Sequence, residues 1–239
     1  MVKHYKITGL TVAMDSFGRT QVQAQPYLVQ CPQEKPDIEI KADWRALKEQ
    51  QPHLSEDECE YISTGWSFYR QLLEFDGMLL HASAVVMDGR AYLFSAPSGT
   101  GKSTHTALWR RVFGEDRAQI LNDDKPALRL ENGTFYAYGT PWSGKTDLNI
   151  NVRVPLAGIC LLSRGAENVI YPCQGRQAIH DILEQTIRPR DQKLTEKLLE
   201  LLDCLMRTVP VWKMECNMEP LAALVAWRAM SADGKDQDL

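Results

Sequence analysis

The chain has 239 residues, 44% of them apolar and 24% charged, and its 27 basic and 31 acidic side chains leave a net charge of −4. This composition excludes disorder over most of the length and suits one compact domain with a modest extension. It lacks the basic footprint selected by nucleic acid or an anionic membrane, so an anionic ligand would have to be held by local groups. The six cysteines (31, 59, 160, 173, 204 and 216) show no CxxC or CxH spacing. That argues against structural zinc and for free thiols in a reducing cytoplasm. Residues 1–13 contain no apolar signal-peptide core, and no uncharged apolar stretch nears membrane-spanning length. A cytoplasmic protein without membrane or nucleic-acid partners is therefore expected.

In chain order, Tyr5–Val12 and Thr20–Val29 read as strands separated by the turn Asp15–Gly18, with a loop over 31–36. Ser55 and Glu58 form a capping box ahead of a helix running to about Phe75, which Asp76-Gly77 stops. A strand over 78–87, the pair Asp88-Gly89 and a strand over 90–95 make a hairpin with a type I′ turn. A glycine-rich loop, Ala96–Ser103, leads into a helix over 102–113 with Gly114 as its C-cap. Ala118–Leu121 is a strand ending in Asn122-Asp123-Asp124. Pro126–Leu130 and Thr134–Tyr138 are strands, Gly139–Lys145 is a loop, and Leu156–Leu162 is an apolar strand. Helices follow over Arg176–Ile187 and Leu194–Met206, then a strand over Val209–Met214 and a helix over Leu221–Met230. The expected organisation is an N-terminal β-rich extension with a helix (1–75), a core (76–230) and a disordered polar tail (231–239).

The loop carries the strongest chemical signal. Ser98-Gly99-Thr100-Gly101-Lys102-Ser103 matches a P-loop of the Walker A type, G-x-x-x-x-G-K-[ST], with Ala96 replacing the first glycine. Gly99 and Gly101 let backbone N–H groups close around phosphate oxygens, and the helix beginning at Lys102 points its positive end at them. Lys102 would neutralise the β- and γ-phosphates of ATP, the Ser103 hydroxyl would ligate Mg²⁺, and Ser98 to Thr104 would form the phosphate-contacting stretch. The bland alternative is a glycine-rich strand-to-helix turn.

Asp123 and Asp124 lie 20 residues after Ser103, and a βαβ unit would set them beside the loop. Adjacent strand side chains point in opposite directions, so one carboxylate would hold the metal while the other takes a proton from an attacking hydroxyl. Asp123 as base and Asp124 as metal ligand is the working assignment; the reverse fits equally. His81 sits on the hairpin strand next to the one feeding the loop, as a metal ligand or as a core histidine. In the loop 139–145, Trp142, Ser143 and Lys145 either meet the acceptor or form a turn with Trp142 in the core. Arg188 and Arg190 flank Pro189 as an arginine finger or a solvated basic loop.

The run Leu79-Leu80-His81-Ala82-Ser83-Ala84-Val85, the glycine loop and Asn122-Asp123-Asp124 together resemble the HPr kinase/phosphorylase and ATP-dependent phosphoenolpyruvate carboxykinase superfamily. The resemblance implies an α/β fold with a mixed β-sheet P-loop core, here with the N-terminal β-rich extension and C-terminal helices. It further implies Mg²⁺ or Mn²⁺ with His81 among its ligands, a catalytic set of Asp123, Lys102 and His81, and γ-phosphoryl transfer to a hydroxyl. The acceptor would be a serine of a peptide or small protein, or a small molecule. The chain has neither the carboxykinases' oxaloacetate region nor the Glu-Ile-Arg-Gly-type segment of the HPr-directed enzymes, so it looks most like the smaller HPr-kinase-related proteins. A non-catalytic nucleotide sensor or assembly module is the competing expectation, and a homo-oligomer is compatible with either.

Overall fold

A computed structural model of the chain describes residues 1–30, 35–173 and 175–231. The chain opens with a hairpin of β1 (Lys3–Ile7) and β2 (Leu10–Met14) around Thr8 and Gly9, both at positive φ. These are the dihedrals of a tight two-residue turn, and they break the single strand expected over Tyr5–Val12. Thr20–Val29 is not a strand. It forms α1 (Gly18–Gln23) and a 3-10 turn at Gln25–Tyr27. Thr20 and Gln23 are buried at i, i+3 spacing while Val22 is exposed, so the buried face follows the helical period, not the strand period. The loop expected over 31–36 falls mostly outside the described residues. β3 (Ile38–Ile40) pairs parallel with β2 and completes a three-stranded sheet. It is followed by α2 (Trp44–Gln50), capped by the Asp43 carboxylate on Ala46 N–H at 3.1 Å. Neither β3 nor α2 was legible from periodicity, because both are too short to display it.

α3 (Glu56–Leu72) starts at the expected capping box: Glu58 N–H donates to Ser55 Oγ at 3.1 Å, and Ser55 N–H donates to Glu58 Oε2 at 2.8 Å. Inside this helix Glu60 is buried against α1, where it accepts from the Thr20 hydroxyl and its Oε1 has no partner. Burial pushes its pKa up to about 7 against the weaker pull of the Thr20 and Phe17 hydrogen bonds. A carboxyl whose folded pKa is raised contributes stability below its unfolded pKa and loses it as pH rises through the folded value. The fold should therefore lose up to about 3 kcal/mol between pH 4.5 and pH 7 on this account. Glu60→Gln is expected to remove that slope and to raise the melting temperature at pH 8 but not at pH 5, as thermal unfolding at the two pH values will show.

The central sheet begins with β4 (Gly77–Leu79), β5 (Ala82–Met87) and β6 (Arg90–Ser95). The Asp88-Gly89 hairpin forms as expected, with φ of 51° and 73°. The strand expected over 78–87 is broken at Leu80-His81. There the backbone leaves its neighbours, and His81 N–H donates to Gln185 O at 2.7 Å. α4 (Lys102–Phe113) follows β6, and Gly114 at φ 87° caps it. β7 (Ala118–Asn122), β8 (Ala127–Glu131), β9 (Thr134–Tyr138) and the twelve-residue β10 (Arg153–Arg164) come next. β11 (Val169–Pro172), α5 (Arg176–Glu184), α6 (Gln192–Thr208), β12 (Val211–Cys216) and α7 (Leu221–Met230) complete the chain.

The strands form one mixed, curled sheet in the order β4-β8-β9-β10-β6-β5-β7, with β12 also on β10 and β11 on β12. β10 produces the curl: it pairs antiparallel with β9 over residues 153–155, then parallel with β6 and β12 further along. The leucines of α6 and the apolar side of α5 cover one face, and α4 with α7 cover the other. β6 and β7 are not neighbours, as a simple βαβ unit would have made them. β5 is inserted between them, antiparallel to both. A third core cluster joins Tyr5, Ile7 and Val12 to Phe68, Leu79, Tyr138 and Trp142, so the N-terminal 75 residues share their core with β4, β9 and the loop after β9. Of the tail expected over 231–239, only Ser231 lies among the described residues. No described helix is long and apolar enough to cross a membrane.

Candidate functional site

β6 runs from the sheet centre into the glycine loop, and α4 leaves it, so the loop lies at the end of a strand flanked by β5 and β10. Gly99 and Gly101 have φ of 79° and 121°, which side chains rarely adopt, and nothing lies within 4 Å of where a Cβ would stand. Backbone conformation, not crowding, is what requires glycine there. Ala96, at the position of the first glycine of the pattern matched in sequence, is buried in the α4–α7 core. Lys102 folds back over the loop: Nζ donates to Ala96 O at 2.9 Å and to Pro97 O at 3.5 Å. Burial pushes its pKa down, while the charges of Asp124 and Asp123 push it up. From outside, Arg164 on β10 donates to the carbonyls of Gly99 and Thr100. Arg164 was not foreseen, because only the pairing of β10 with β6 brings it to the loop.

The two aspartates occupy different surroundings, as alternation along the chain requires. Asp123 is buried and accepts from Ser83 Oγ on β5 at 2.5 Å and from Thr146 Oγ1 at 2.8 Å. Ser83 Oγ also lies 2.7 Å from Thr106 Oγ1 on α4, so the inserted strand ties the aspartate to the helix of the glycine loop. Asp124 faces two cations or potential cations: Lys125 forms an ion pair with it, and His81 Nε2 lies 3.3 Å from its Oδ1. Burial pushes its pKa up, but the His81 hydrogen bond and the Lys125 charge outweigh this and hold it at about 2. Asn122 sets Asp124 and Lys125: its Oδ1 accepts from the N–H groups of Asp124 (2.9 Å) and Lys125 (2.7 Å), while its Nδ2 donates to Thr140 O at 2.9 Å.

A depressed carboxylate pKa gives stability that is present above the unfolded value and lost as pH falls through the folded one. Asp124 should thus contribute about 2 kcal/mol at neutral pH, lost between pH 4 and pH 2. Urea unfolding of Asp124→Asn is expected to show that loss at pH 7 and a flatter acid limb.

His81 is close to this cluster, although it lies in the break before β5 and not on the hairpin strand expected for it. Both ring nitrogens have protein partners: Nε2 faces Asp124, and Nδ1 lies 2.9 Å from Gln185 Oε1 at the end of α5. This geometry suits a side chain that orients Asp124. Gln185 had no sequence signal, since the α5–His81 contact spans 104 residues.

In the loop 139–145 the second alternative holds for Trp142, which forms part of the core. Trp142 offers no surface to a ligand. It is fully buried, stacked on Phe68 at 4.9 Å, and its indole N–H donates to Thr64 Oγ1 at 3.3 Å. A Cβ on Gly65 would lie 2.9 Å from the indole, so that helix glycine makes the room. Ser143 is also buried, accepting from Asn149 Nδ2 at 3.1 Å, whereas Lys145 is exposed. Thr146, not Ser143, reaches Asp123. Arg188 and Arg190 are both exposed.

The loop is flanked by two cavities. One, of about 420 Å³, lies between Gly99–Gly101, Leu162 and Met218; the other, of about 320 Å³, lies between Ser95–Pro97, Gln185 and Lys213. Among the described residues no three His, Cys, Asp or Glu side chains are arranged to hold a metal by themselves. Mg²⁺ with a nucleotide needs only one or two carboxylates besides phosphate oxygens and water. The ionised Asp124 carboxylate near the loop fits that donor chemistry.

A family model described as SynChlorMet cassette protein ScmC matches residues 54–220. Among solved structures, the HPr(Ser) kinase/phosphatase from Coxiella burnetii is similar at 13% identity, over 62% of this chain and 90% of that chain, with a TM-score of 0.36. None of the curated proteins matches.

Proposed function

From the premise that the chain belongs to the ScmC family, we propose that it is an ATP-dependent kinase that transfers the γ-phosphoryl group to a hydroxyl. The acceptor class is a serine of a peptide or small protein, or a small hydroxylated molecule. The observation that carries the reading is convergence: a buried lysine folds over a glycine loop at the start of α4, and Ser83 ties Asp123 to Thr106 on that same helix. Ser98 to Thr104 would hold the phosphates through backbone N–H groups, and Lys102 would swing from the loop carbonyls to the β- and γ-oxygens. Asp124 and the Ser103 hydroxyl would hold Mg²⁺ or Mn²⁺, which when bound neutralises phosphate charge.

Asp124, held ionised at about 2, is too weak a base to accept a proton usefully near neutral pH. Its character suits cation binding, with His81 orienting it. Asp123, surrounded by neutral hydroxyls, is then the base. As the acceptor O–H proton passes to Asp123, the acceptor oxygen bonds to the γ-phosphorus. The bond from that phosphorus to the β–γ bridging oxygen breaks, and ADP leaves.

The test is to incubate the protein with ATP, Mg²⁺ and a panel of serine peptides and small alcohols, and to follow phosphoryl gain by mass spectrometry. A phosphorylated acceptor with matching ADP release is expected. ATP binding without transfer to any acceptor would return the chain to the sensor alternative, and no ATP binding would end both readings.

A further inference from the structure

The smaller cavity beside the glycine loop, of about 320 Å³, is within the size range of small-molecule sites and has no part in holding a nucleotide. One wall is Ser95–Pro97, and the carbonyls of Ala96 and Pro97 in that wall are the ones that hold Lys102 Nζ. Another is α5 with its C-cap Gln185, and Lys213 on β12 lies beside it. One end of the Gln185 amide meets His81 Nδ1 at 2.9 Å, and the other end has no partner among the described residues. His81 in turn faces Asp124. The cavity therefore adjoins both the loop lysine and the cation-binding carboxylate.

Its charged side chains are Asp181, Glu184 and Lys213, and they are not equally free. Asp181 is saturated: Oδ1 accepts from Gln177 Nε2 and Oδ2 from Lys213 Nζ, each at 2.7 Å. The Asp181 hydrogen bond pushes the Lys213 pKa up, so the ammonium persists at neutral pH. Lys213 has no second partner among the described residues and its side chain is 28% accessible, which leaves two N–H donors for a ligand. Glu184 accepts no hydrogen bond among the described residues. Its ion-pair neighbour there is His180 Nε2 at 3.8 Å, and its side chain is 54% accessible. Glu184 follows Asp181 at i, i+3, which sets the two on one face of α5 with Cβ atoms about 5–6 Å apart. An ammonium with spare donors, held at Asp181, and a carboxylate with spare acceptors thus stand one helix turn apart. A pure anion would meet two carboxylates and a pure cation would meet the ammonium, whereas a ligand carrying both charges pairs each.

We infer that this cavity holds a free hydroxylated α-amino acid as the phosphoryl acceptor, with its carboxylate on Lys213, its ammonium on Glu184 and its hydroxyl toward Gln185 and the Ser95–Pro97 wall. The binding half stands on the cavity alone; the acceptor half rests on reading the chain as a kinase. It selects a small molecule over a serine within a peptide, which has neither a free ammonium nor a free carboxylate. In the transfer the hydroxyl proton passes to Asp123 and the oxygen bonds to the γ-phosphorus. The bond from that phosphorus to the bridging oxygen breaks and releases ADP.

Calorimetry on the full chain with L-serine, serinol and glycerate tests the cavity without any nucleotide; serinol lacks the carboxylate and glycerate lacks the ammonium. L-Serine is expected to bind at least about tenfold more tightly than either. Lys213→Met should erase the preference over serinol, and Glu184→Gln the preference over glycerate. Both side chains are accessible, so neither substitution carries much folding risk. No binding of L-serine, equal affinities for the three ligands, or variants that weaken all three alike would overturn the site and leave the nucleotide reading standing. With ATP and Mg²⁺ added, mass spectrometry is expected to show O-phosphoserine. Selective serine binding without phosphoserine, in protein that binds ATP, would overturn the acceptor role. Failure to bind ATP would end the kinase reading and that role with it, while the serine affinities still decide the site.

Discussion

Lys102→Ala is expected to lower ADP and ATP affinity by roughly 30- to 1,000-fold, the cost of about 2–4 kcal/mol when one partner of a desolvated charge contact is truncated. Without a ligand the ammonium makes do with two loop carbonyls, at 2.9 and 3.5 Å, and burial holds its pKa down. A lysine whose folded pKa is depressed costs stability at every pH below that pKa, and the cost fades only as pH rises toward the unfolded value. The alanine variant should therefore melt no lower than the parent while losing its ligand. Lys102→Arg should not rescue binding, because the planar guanidinium cannot take the place of a compact ammonium inside the loop. Isothermal titration alongside thermal unfolding checks both halves. A folded variant with unchanged affinity would remove the phosphate cradle.

Asp123→Asn is expected to keep nucleotide affinity within about threefold and to lower phosphoryl transfer by roughly 10²–10⁴, the usual range for a positioned general base. The fold should tolerate it. Ser83 and Thr146 meet Asp123 through hydroxyls, which can reverse donor and acceptor roles to suit an amide. Its contrast with Asp124→Asn separates the two carboxylates. The second variant breaks contacts with His81 and Lys125, so it should shift the Mg²⁺ concentration needed for binding and weaken the fold. Single-turnover rates and metal titrations on the pair decide between the roles. Transfer at the parental rate in Asp123→Asn would remove it as base.

Much of the local structure was legible in the chain itself. The capping box at Ser55, the Asp88-Gly89 turn, α4 over 102–113 and α7 over Leu221–Met230 all formed where their signals stood. Each depends on a few adjacent residues: a side-chain cap, a positive-φ pair, or a helix-period apolar face. The element that differs and the alternative left open share a cause. Thr20–Gln25 alternates as a strand would, and packing of α1 on α3, where Thr20 donates to Glu60, overrode that period in favour of helix. Trp142 sits among glycine, proline and polar residues, a setting that leaves an acceptor-facing loop and a core turn equally open. Only the approach of Phe68 and the gap left by Gly65 make it core.

The same division runs through the candidate site. Sequence alone determined the glycine loop with its lysine, the paired aspartates, and the histidine just ahead of the hairpin, because the residue types and short spacings carry their chemistry with them. Tertiary structure alone decided what each of these groups faces. The insertion of β5 between β6 and β7 brought Ser83 to Asp123, and the break at Leu80-His81 turned the imidazole toward Asp124 and Gln185. The pairing of β10 with β6 set Arg164 on the loop. These contacts join residues far apart in the chain. Sheet order and helix packing select them, through burial summed over the whole core, and no local pattern encodes that sum.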